Sequence, residues 1–200
     1  MGRPPKFSAD QILDTAEALI AESGLQSATV TAVVERLGAP SGSIYHRFAT
    51  RDLLLAHLWI RAAKDAQTGF IDALANGRPE AGVDAALHIV RWSRANPGRA
   101  RVLAAHRRED LAANWPDELG PELATINDDL NATLRDYTRT VHGRITKSNL
   151  EATMFAVIDI PHAAVRRHLL DGTPPPRVLD DLVERAVTQI LRLDEHRTSA

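Results

Sequence analysis

The side chains best suited to chemistry lie between residues 41 and 51, where hydroxyl, phenol, imidazole and guanidinium groups follow closely on one another. They are Ser41, Ser43, Tyr45, His46, Arg47 and Arg51. These groups donate hydrogen bonds or carry positive charge, which suits contact with phosphates and with the edges of bases. No spacing in the chain pairs a nucleophile with a base or brings carboxylates together, so catalysis is not predicted.

Two short helices are predicted to position these groups. The first carries a stripe of apolar residues at helical spacing, namely Val30, Val33, Val34 and Leu37. Thr29 or Thr31 can cap its start, and Gly38 supplies the left-handed residue that ends such helices. Pro40 has its φ preset for the start of the next helix.

The second helix, over residues 41–46, is predicted to bury Ile44, with Phe48 buried just beyond it. Its polar side chains then point outward. Two helices joined by a tight glycine turn, the second bearing small polar and aromatic donors, form a helix-turn-helix that enters the major groove of DNA.

A longer pattern covers the same region. It resembles the DNA-binding signature of the tetracycline-repressor (TetR) family. The matching residues are Gly38-x-x-x-Gly42-Ser43-Ile44-Tyr45-His46-x-Phe48, followed by Thr50-Arg51-Asp52-Leu53-Leu54. The resemblance spans about residues 8–58. Many relatives have a lysine where Ser41 stands and a tyrosine–histidine pair where His46 and Arg47 stand. Positive charge is therefore shifted toward the end of the second helix in this chain.

The resemblance implies which residues face DNA: Ser41, Gly42, Ser43, Tyr45 and His46. Gly42 has no side chain, so the helix backbone can approach base edges there. We expect Arg47 and Arg51 to hold phosphates, with Thr29 and Thr31 as weaker phosphate candidates. Arg3 and Lys6, in an arm stiffened by proline, are predicted either to reach a minor groove or to form a solubilising tail.

Composition sets the wider limits. The chain has 200 residues and a formal net charge of −2, and residues 1–51 hold five basic and five acidic side chains. Any positive field is therefore local to the DNA-facing surface. There is no cysteine, which excludes disulfides and thiolate metal sites. With no long apolar run, we expect a soluble cytoplasmic protein without a membrane partner.

Three segments are predicted: a flexible arm over residues 1–7, a helix-turn-helix DNA-binding domain over 8–52, and a helical ligand-binding and dimerisation domain over 53–195. Ser8 and Gln11 form a capping box that starts helix 1. The fold class is all-α with eight to ten helices.

The later helices are predicted from about residue 50 to 76, and then over 80–95, 99–114 in one or two pieces, 119–142, 149–170 and 177–193. Pro161 is expected to kink or split its helix, either without a role or so that a freed carbonyl lines a pocket.

The resemblance further implies a small-molecule cavity in the C-terminal half. Its candidate lining residues are Trp59, His88, Trp92, His106, Trp115, Tyr137, Phe155, Asp159 and His162. The alternative for the aromatic residues is ordinary core packing. Asp159, His162 and His168 do not have a metal-site spacing, so neither a metal nor a cofactor is predicted.

The resemblance also implies a homodimer formed by the last two helices. The predicted interface residues are Ile158, Val165, Leu169, Leu182, Val183, Ala186, Val187, Ile190 and Leu191. Packing against the preceding helix of the same chain is the alternative. A two-fold dimer would bind a palindromic operator with half-sites about one DNA turn apart.

The sequence thus predicts a non-enzymatic transcriptional regulator that binds double-stranded DNA, most simply a repressor released by a small-molecule inducer. Two other classes of protein are alternatives for a helical chain. An all-helical enzyme would need a catalytic constellation that this sequence lacks, whereas a helical adaptor that binds protein would differ in the salt dependence of its binding.

Overall fold

The computed structural model describes residues 7–115 and 118–192, and all regular elements in these ranges are helical. The all-α prediction is confirmed. The α-helices are α1 (Ala9–Ser23), α2 (Val30–Leu37), α3 (Ser41–Tyr45), α4 (Arg51–Leu74), α5 (Ala81–Ala95), α6 (Pro97–Ala105), α7 (Arg108–Asn114), α8 (Gly120–Thr125), α9 (Asp128–His142), α10 (Lys147–Met154), α11 (Ile160–Leu170) and α12 (Val178–Leu191). Arg3 and Lys6 lie outside the described residues.

The described ranges hold twelve α-helices rather than eight to ten, because several predicted helices are divided. The predicted helix over 119–142 breaks between α8 and α9, where Asn127 leaves helical geometry and its side chain accepts a hydrogen bond of 2.8 Å from Gln67. The predicted helix over 149–170 begins earlier, after Thr146, whose hydroxyl accepts from the Asn149 amide. A side-chain hydrogen bond thus accompanies each boundary, a long-range one at Asn127 and a local one at Thr146.

Pro161 lies in the first turn of α11, and a π-helical turn over Phe155–Asp159 joins α10 to this helix. Proline has no amide hydrogen, so it cannot bond to the carbonyl four residues earlier, but this loss matters least at a helix start. The chain therefore changes its helical winding just before the proline and begins a new helix there.

The chain divides into two compact units. The first is Met1–Ala63 with Pro97–Gly120, and the second is Lys64–Asn96 with Pro121–Ala200. The first unit contains all of the predicted DNA-binding domain and, in addition, α6 and α7 from later in the sequence. Val102 of α6 is fully buried in the same apolar cluster as Ile12, Ile20 and Ile44.

Capping interactions define α1 and α2 as the sequence predicted. Ser8 and Gln11 complete the capping box of α1, and the Thr29 hydroxyl accepts the Ala32 amide at the start of α2. Gly38 ends α2 in the left-handed region with φ 58°. Pro40 precedes α3 as its N-cap instead of standing at its first helical position.

In the second unit, α12 packs against α5 and α11. Arg94 of α5 donates to Asp180 of α12 over 2.5 Å and to the Pro175 carbonyl over 2.9 Å. The hydrogen bond from Arg94 holds the pKa of Asp180 below its usual value. No helix in the described part of the chain combines the length and apolarity needed to cross a membrane.

Candidate nucleic-acid interface

One face of α3 is open to solvent and the other is buried. Ile44 is fully buried and Phe48 is 3% exposed, as predicted, so both anchor the helix on the core of the first unit. The exposed residues of this segment are Ser41, Gly42, Ser43, Tyr45 and His46, and Arg47 is half-buried. Five of the residues expected to face DNA therefore lie on one accessible surface, which the buried side chains orient.

The start of α2 extends this surface. The Thr31 hydroxyl lies 3.4 Å from the Tyr45 hydroxyl, within reach of a hydrogen bond. Thr29 accepts the Ala32 amide through its oxygen over 3.0 Å, and its hydroxyl hydrogen stays available for a phosphate. The predicted residues of α2 and α3 thus form a single polar surface.

Two small residues of α3 have defined surroundings. The Ser43 hydroxyl donates to the Pro40 carbonyl over 2.8 Å, so in the free protein its oxygen is left to accept a bond from a partner. A Cβ atom added to Gly42 would meet nothing within 4 Å. The protein itself therefore has room for a side chain at Gly42, and folding does not explain the glycine.

Arg51 takes a position that sequence reasoning did not foresee. Its Nη2 donates to the Leu25 carbonyl over 2.8 Å, which links the start of α4 to the 3₁₀ turn Leu25–Ser27 before α2. Its side chain is 28% exposed. A role in bracing the turn is thus visible, in addition to the phosphate contact expected for this guanidinium.

Arg36 of α2 is engaged with α1. Both of its terminal nitrogens donate to the Glu22 carboxylate over 2.6 Å, and this hydrogen bonding lowers the pKa of Glu22. The positive charge of Arg36 is therefore largely matched by a neighbour. Arg47 directly follows the exposed residues of α3 in the sequence and is half-buried.

The candidate ligand residues are divided between the two units. Trp59, His106 and Trp115 belong to the first unit, and His88, Trp92, Tyr137, Phe155, Asp159 and His162 belong to the second. In the second unit, Trp92 donates to Asp65 over 2.8 Å, and Tyr137 is buried. Phe155 is 51% exposed, and Asp159 and His162 are exposed too. No group of three or more potential ligands for a metal ion occurs among the described residues.

The predicted dimer residues separate into two sets. Five of them are buried within the chain itself, where α12 packs on α5 and α11: Val165, Leu169, Val183, Val187 and Leu191. Their side chains form core and are not available to a second copy. Leu182 is 47% exposed, whereas Ile158, Ala186 and Ile190 are half-buried.

Other apolar residues that the sequence did not single out share the exposure of Leu182. Within the second unit they are Met154, Leu170 and Val178, together with Phe155, which the sequence placed in the ligand set. Helical spacing alone cannot separate them from core residues, because α12 carries apolar side chains around much of its circumference.

A helix-turn-helix with a buried apolar side and an exposed polar side, within an all-helical chain, defines a helical DNA-binding protein. Residues 12–58 match the family described as bacterial regulatory proteins, tetR family. The match places a DNA-binding domain of the tetR-family type in this part of the chain, and that family is one of transcriptional regulators rather than enzymes.

Solved structures of this family share the fold. The TetR-family regulator PfmR from Thermus thermophilus is 18% identical, covers 90% of this chain and 97% of its own, and superposes with a TM-score of 0.65. The fatty acid degradation regulator FadR from Bacillus halodurans is 16% identical over 96% of this chain and 97% of its own, with a TM-score of 0.66. The ketosteroid transcriptional regulator KstR2 of Mycobacterium tuberculosis is 18% identical over 93% and 94%, with a TM-score of 0.63. Nothing among the curated proteins matches this chain.

Proposed function

We propose that this regulator is a sequence-specific repressor that is released from a palindromic operator when a small-molecule inducer binds. The observation that carries the proposal is the single polar surface formed by the start of α2 and the exposed side of α3, joined where Thr31 meets Tyr45. The buried Ile44 and Phe48 beneath it fix α3 as a rigid reading element. A cytoplasmic location belongs to this proposal, because the operator lies there.

Each group on the surface has a chemical task in this proposal. Ser41, Gly42 and Ser43 lie at the start of α3 and approach base edges, and His46 adds a donor. Tyr45 with Thr31 and Thr29 binds the phosphate backbone, and Arg47 adds the positive charge. Arg51 stabilises the turn before α2 through its hydrogen bond to the Leu25 carbonyl and contributes a phosphate contact. Arg3 and Lys6 would reach the adjacent minor groove.

A homodimer places two such surfaces on one duplex. The exposed apolar side chains of the second unit, with Leu182 and Val178 one turn apart on α12, supply the contact between copies. Two-fold symmetry then requires a palindromic site with half-sites about 34–36 Å apart.

The inducer acts by shifting a population. It binds more tightly to the conformation in which the two recognition helices misfit the duplex, and α4, a continuous helix from Arg51 to Leu74, passes the change between the units. Coupling of about 1–3 kcal/mol would weaken operator binding about 5–150-fold.

Selection of duplexes from a random oligonucleotide pool tests the DNA-binding part. A palindrome should be enriched, and its affinity should fall about 10³–10⁵-fold between 50 and 200 mM salt if a dimer makes about 6–10 phosphate contacts. Binding without enrichment of any palindrome, or with little dependence on salt, would favour a protein-binding adaptor.

The inducer part is tested separately with the selected duplex labelled by a fluorophore. Compounds that raise the melting temperature of the free protein are added to the complex, and fluorescence anisotropy reports release. We expect at least one stabilising compound to lower operator affinity. If the stabilising compounds leave that affinity unchanged, inducer release is contradicted while DNA recognition stands.

A further inference from the structure

One side of α11 and of the π-helical turn before it is exposed and carries both apolar and charged residues. We call this side the α11 stripe, and its residues are Phe155, Asp159, His162, Ala163, Arg166 and Leu170. Their helical spacing places them on one face. Phe155 and Leu170 are each 51% exposed although they are apolar, whereas Val165 and Leu169 on the inner side are buried. The α11 stripe is therefore an exposed face in the described part of the chain.

The chemistry of the α11 stripe is symmetric about its midpoint, between residues 162 and 163. The apolar Phe155 and Leu170 stand at equal distances from this point along the chain. Asp159 and Arg166 stand at equal, shorter distances from it and carry opposite charges. A two-fold axis through the midpoint, perpendicular to the helix, sets two stripes antiparallel and brings each residue opposite its counterpart. The α11 stripe is thus complementary to a second copy of itself in charge and in apolarity.

Neither charged residue finds a strong counter-ion on its own helix. Asp159 and Arg166 are separated by about 10 Å along the helix axis, at about 1.5 Å per residue, which is too far for an ion pair. Three or four positions from either residue, the only ionisable side chain is His162, whose Nδ1 lies 2.8 Å from the Ile158 carbonyl. The salt bridges among the described residues of the second unit involve other side chains. Both charges can therefore pair with groups of another molecule.

We propose that Asp159 and Arg166 determine which chain this protein accepts as its dimer partner. Each Asp159 pairs with Arg166 of the second copy, and Phe155 packs on Leu170 of the second copy at both ends of the contact. The small Ala163 at the midpoint lets the two helices approach closely. This inference rests on the proposed homodimer and adds to it a register for α11 and a charge rule for partner choice, beside the contact already proposed for α12.

Charge reversal in the full-length protein tests the pairing. Asp159→Arg or Arg166→Asp alone sets like charges opposite each other at both symmetric positions, so the dissociation constant of the dimer should rise about tenfold or more. The double variant with both reversals restores opposite charges and should dimerise within about threefold of the parent protein. Sedimentation equilibrium measures these constants.

A mixture of the two single variants tests partner choice directly. Asp159→Arg leaves the α11 stripe with two positive charges, and Arg166→Asp leaves it with two negative charges. Each variant therefore pairs better with the other than with itself. Native mass spectrometry distinguishes the species by mass, and we expect the mixed dimer to predominate over both homodimers.

Arg135→Asp, at an exposed position of α9 in the same unit, controls for the change of charge and should dimerise like the parent protein. Circular dichroism and melting temperatures identify variants that fail to fold. If a reversal does not fold, Asp159→Asn or Arg166→Gln takes its place. Each of these removes an attraction without adding a repulsion, and should raise the dissociation constant about two- to fivefold.

Single reversals that dimerise as tightly as the parent protein would overturn the charge rule and leave the homodimer intact. A folded double variant that stays as weak as the single reversals would do the same, and so would a mixture that forms no excess of mixed dimers. A parent protein that is monomeric at every concentration would overturn the charge rule together with the proposed homodimer. The two failures are therefore distinguishable.

Discussion

The hydroxyl groups of Thr31 and Tyr45 lie 3.4 Å apart and join the first turn of α2 to the last turn of α3. Both residues are exposed, and the apolar residues of their helices are buried behind them. The contact fixes the phenol beside the amino end of α2, where backbone amides and the helix dipole favour an anion. A DNA phosphate placed there would meet donors from both helices.

Replacing Gly42 by alanine should separate folding from DNA recognition. A Cβ atom at this position meets nothing within 4 Å in the free protein, so the variant should fold and gain about 0.4–1 kcal/mol from reduced freedom of the unfolded chain. Operator affinity should fall about tenfold or more if the backbone approaches the bases. Thermal melting and fluorescence anisotropy measure the two effects.

Gly120→Ala is the matched control, because a Cβ atom there also meets nothing within 4 Å and the residue lies away from α3 in the sequence. It should leave operator affinity unchanged. If Gly42→Ala and the parent protein bind the operator with equal affinity, the predicted close approach of the α3 backbone to the bases is contradicted.

Tyr45→Phe should weaken DNA binding without destabilising the protein. The substitution removes one exposed hydroxyl, whose bond to a phosphate is worth about 0.5–1.5 kcal/mol, or about two- to tenfold in affinity. The loss should be similar for all duplex sequences, because a phosphate contact carries no base information. A loss confined to one base pair would instead assign Tyr45 to base reading.

Tyr137→Phe should show the opposite pattern. The Tyr137 side chain is buried and its hydroxyl donates to the Pro79 carbonyl over 2.5 Å, so its removal leaves a part-buried acceptor unpaired. We expect a loss of about 1–3 kcal/mol in the free energy of unfolding. For a chain of this size each kcal/mol lowers the melting temperature by about 2–4 °C. DNA affinity at temperatures well below melting should not change.

Tyr137 also predicts a dependence of stability on alkaline pH. Burial raises the pKa of its phenol well above the usual value. The unfolded chain releases this proton near pH 10, whereas the folded chain retains it, so the contribution of the neutral phenol is complete below pH 10 and declines above it. Urea unfolding at pH 8–11 should show a smaller alkaline loss in Tyr137→Phe. An identical decline in variant and parent would contradict the prediction.

Leu182→Glu should convert a dimer into a monomer. Leu182 is 47% exposed in the single chain, so the fold tolerates a charge, whereas an apolar contact between copies does not. Light scattering after size-exclusion chromatography gives the mass. Ala132→Glu adds the same charge at an exposed position of α9, away from α12 in the sequence, and should remain dimeric. A dimeric Leu182→Glu variant would place the interface elsewhere.

Local signals made the first three helices predictable. The capping box at Ser8, the cap at Thr29 and the left-handed Gly38 each depend on residues within three or four positions, and all three occur in the structure. The burial of Ile44 and Phe48 also follows from helical spacing. The orientation of the exposed polar side of α3 could therefore be predicted from the sequence.

Contacts between distant parts of the chain could not be predicted from local sequence signals. The hydrogen bond between Arg51 and Leu25 joins residues 26 positions apart. From the sequence alone, an arginine at a helix start is equally consistent with a phosphate ligand. Val183 and Val187 are core rather than interface, because apolar spacing on α12 does not show which helix covers it. At the break between α8 and α9, Gln67 forms a hydrogen bond with Asn127. These residues are 60 positions apart, so no local sequence pattern predicts the break.

The burial of Val102 among the side chains of α1, α3 and α4 has a practical consequence for protein engineering. A chimera made by exchanging only the first fifty or sixty codons would seat a foreign α1 on a native α6. The side chains of the foreign α1 would then pack poorly against Val102 and against Gly98, where α6 approaches the Glu17 backbone. Transplanting operator preference into another scaffold therefore calls for carrying α6 along with the helix-turn-helix, or for changing only the outward side chains of α3.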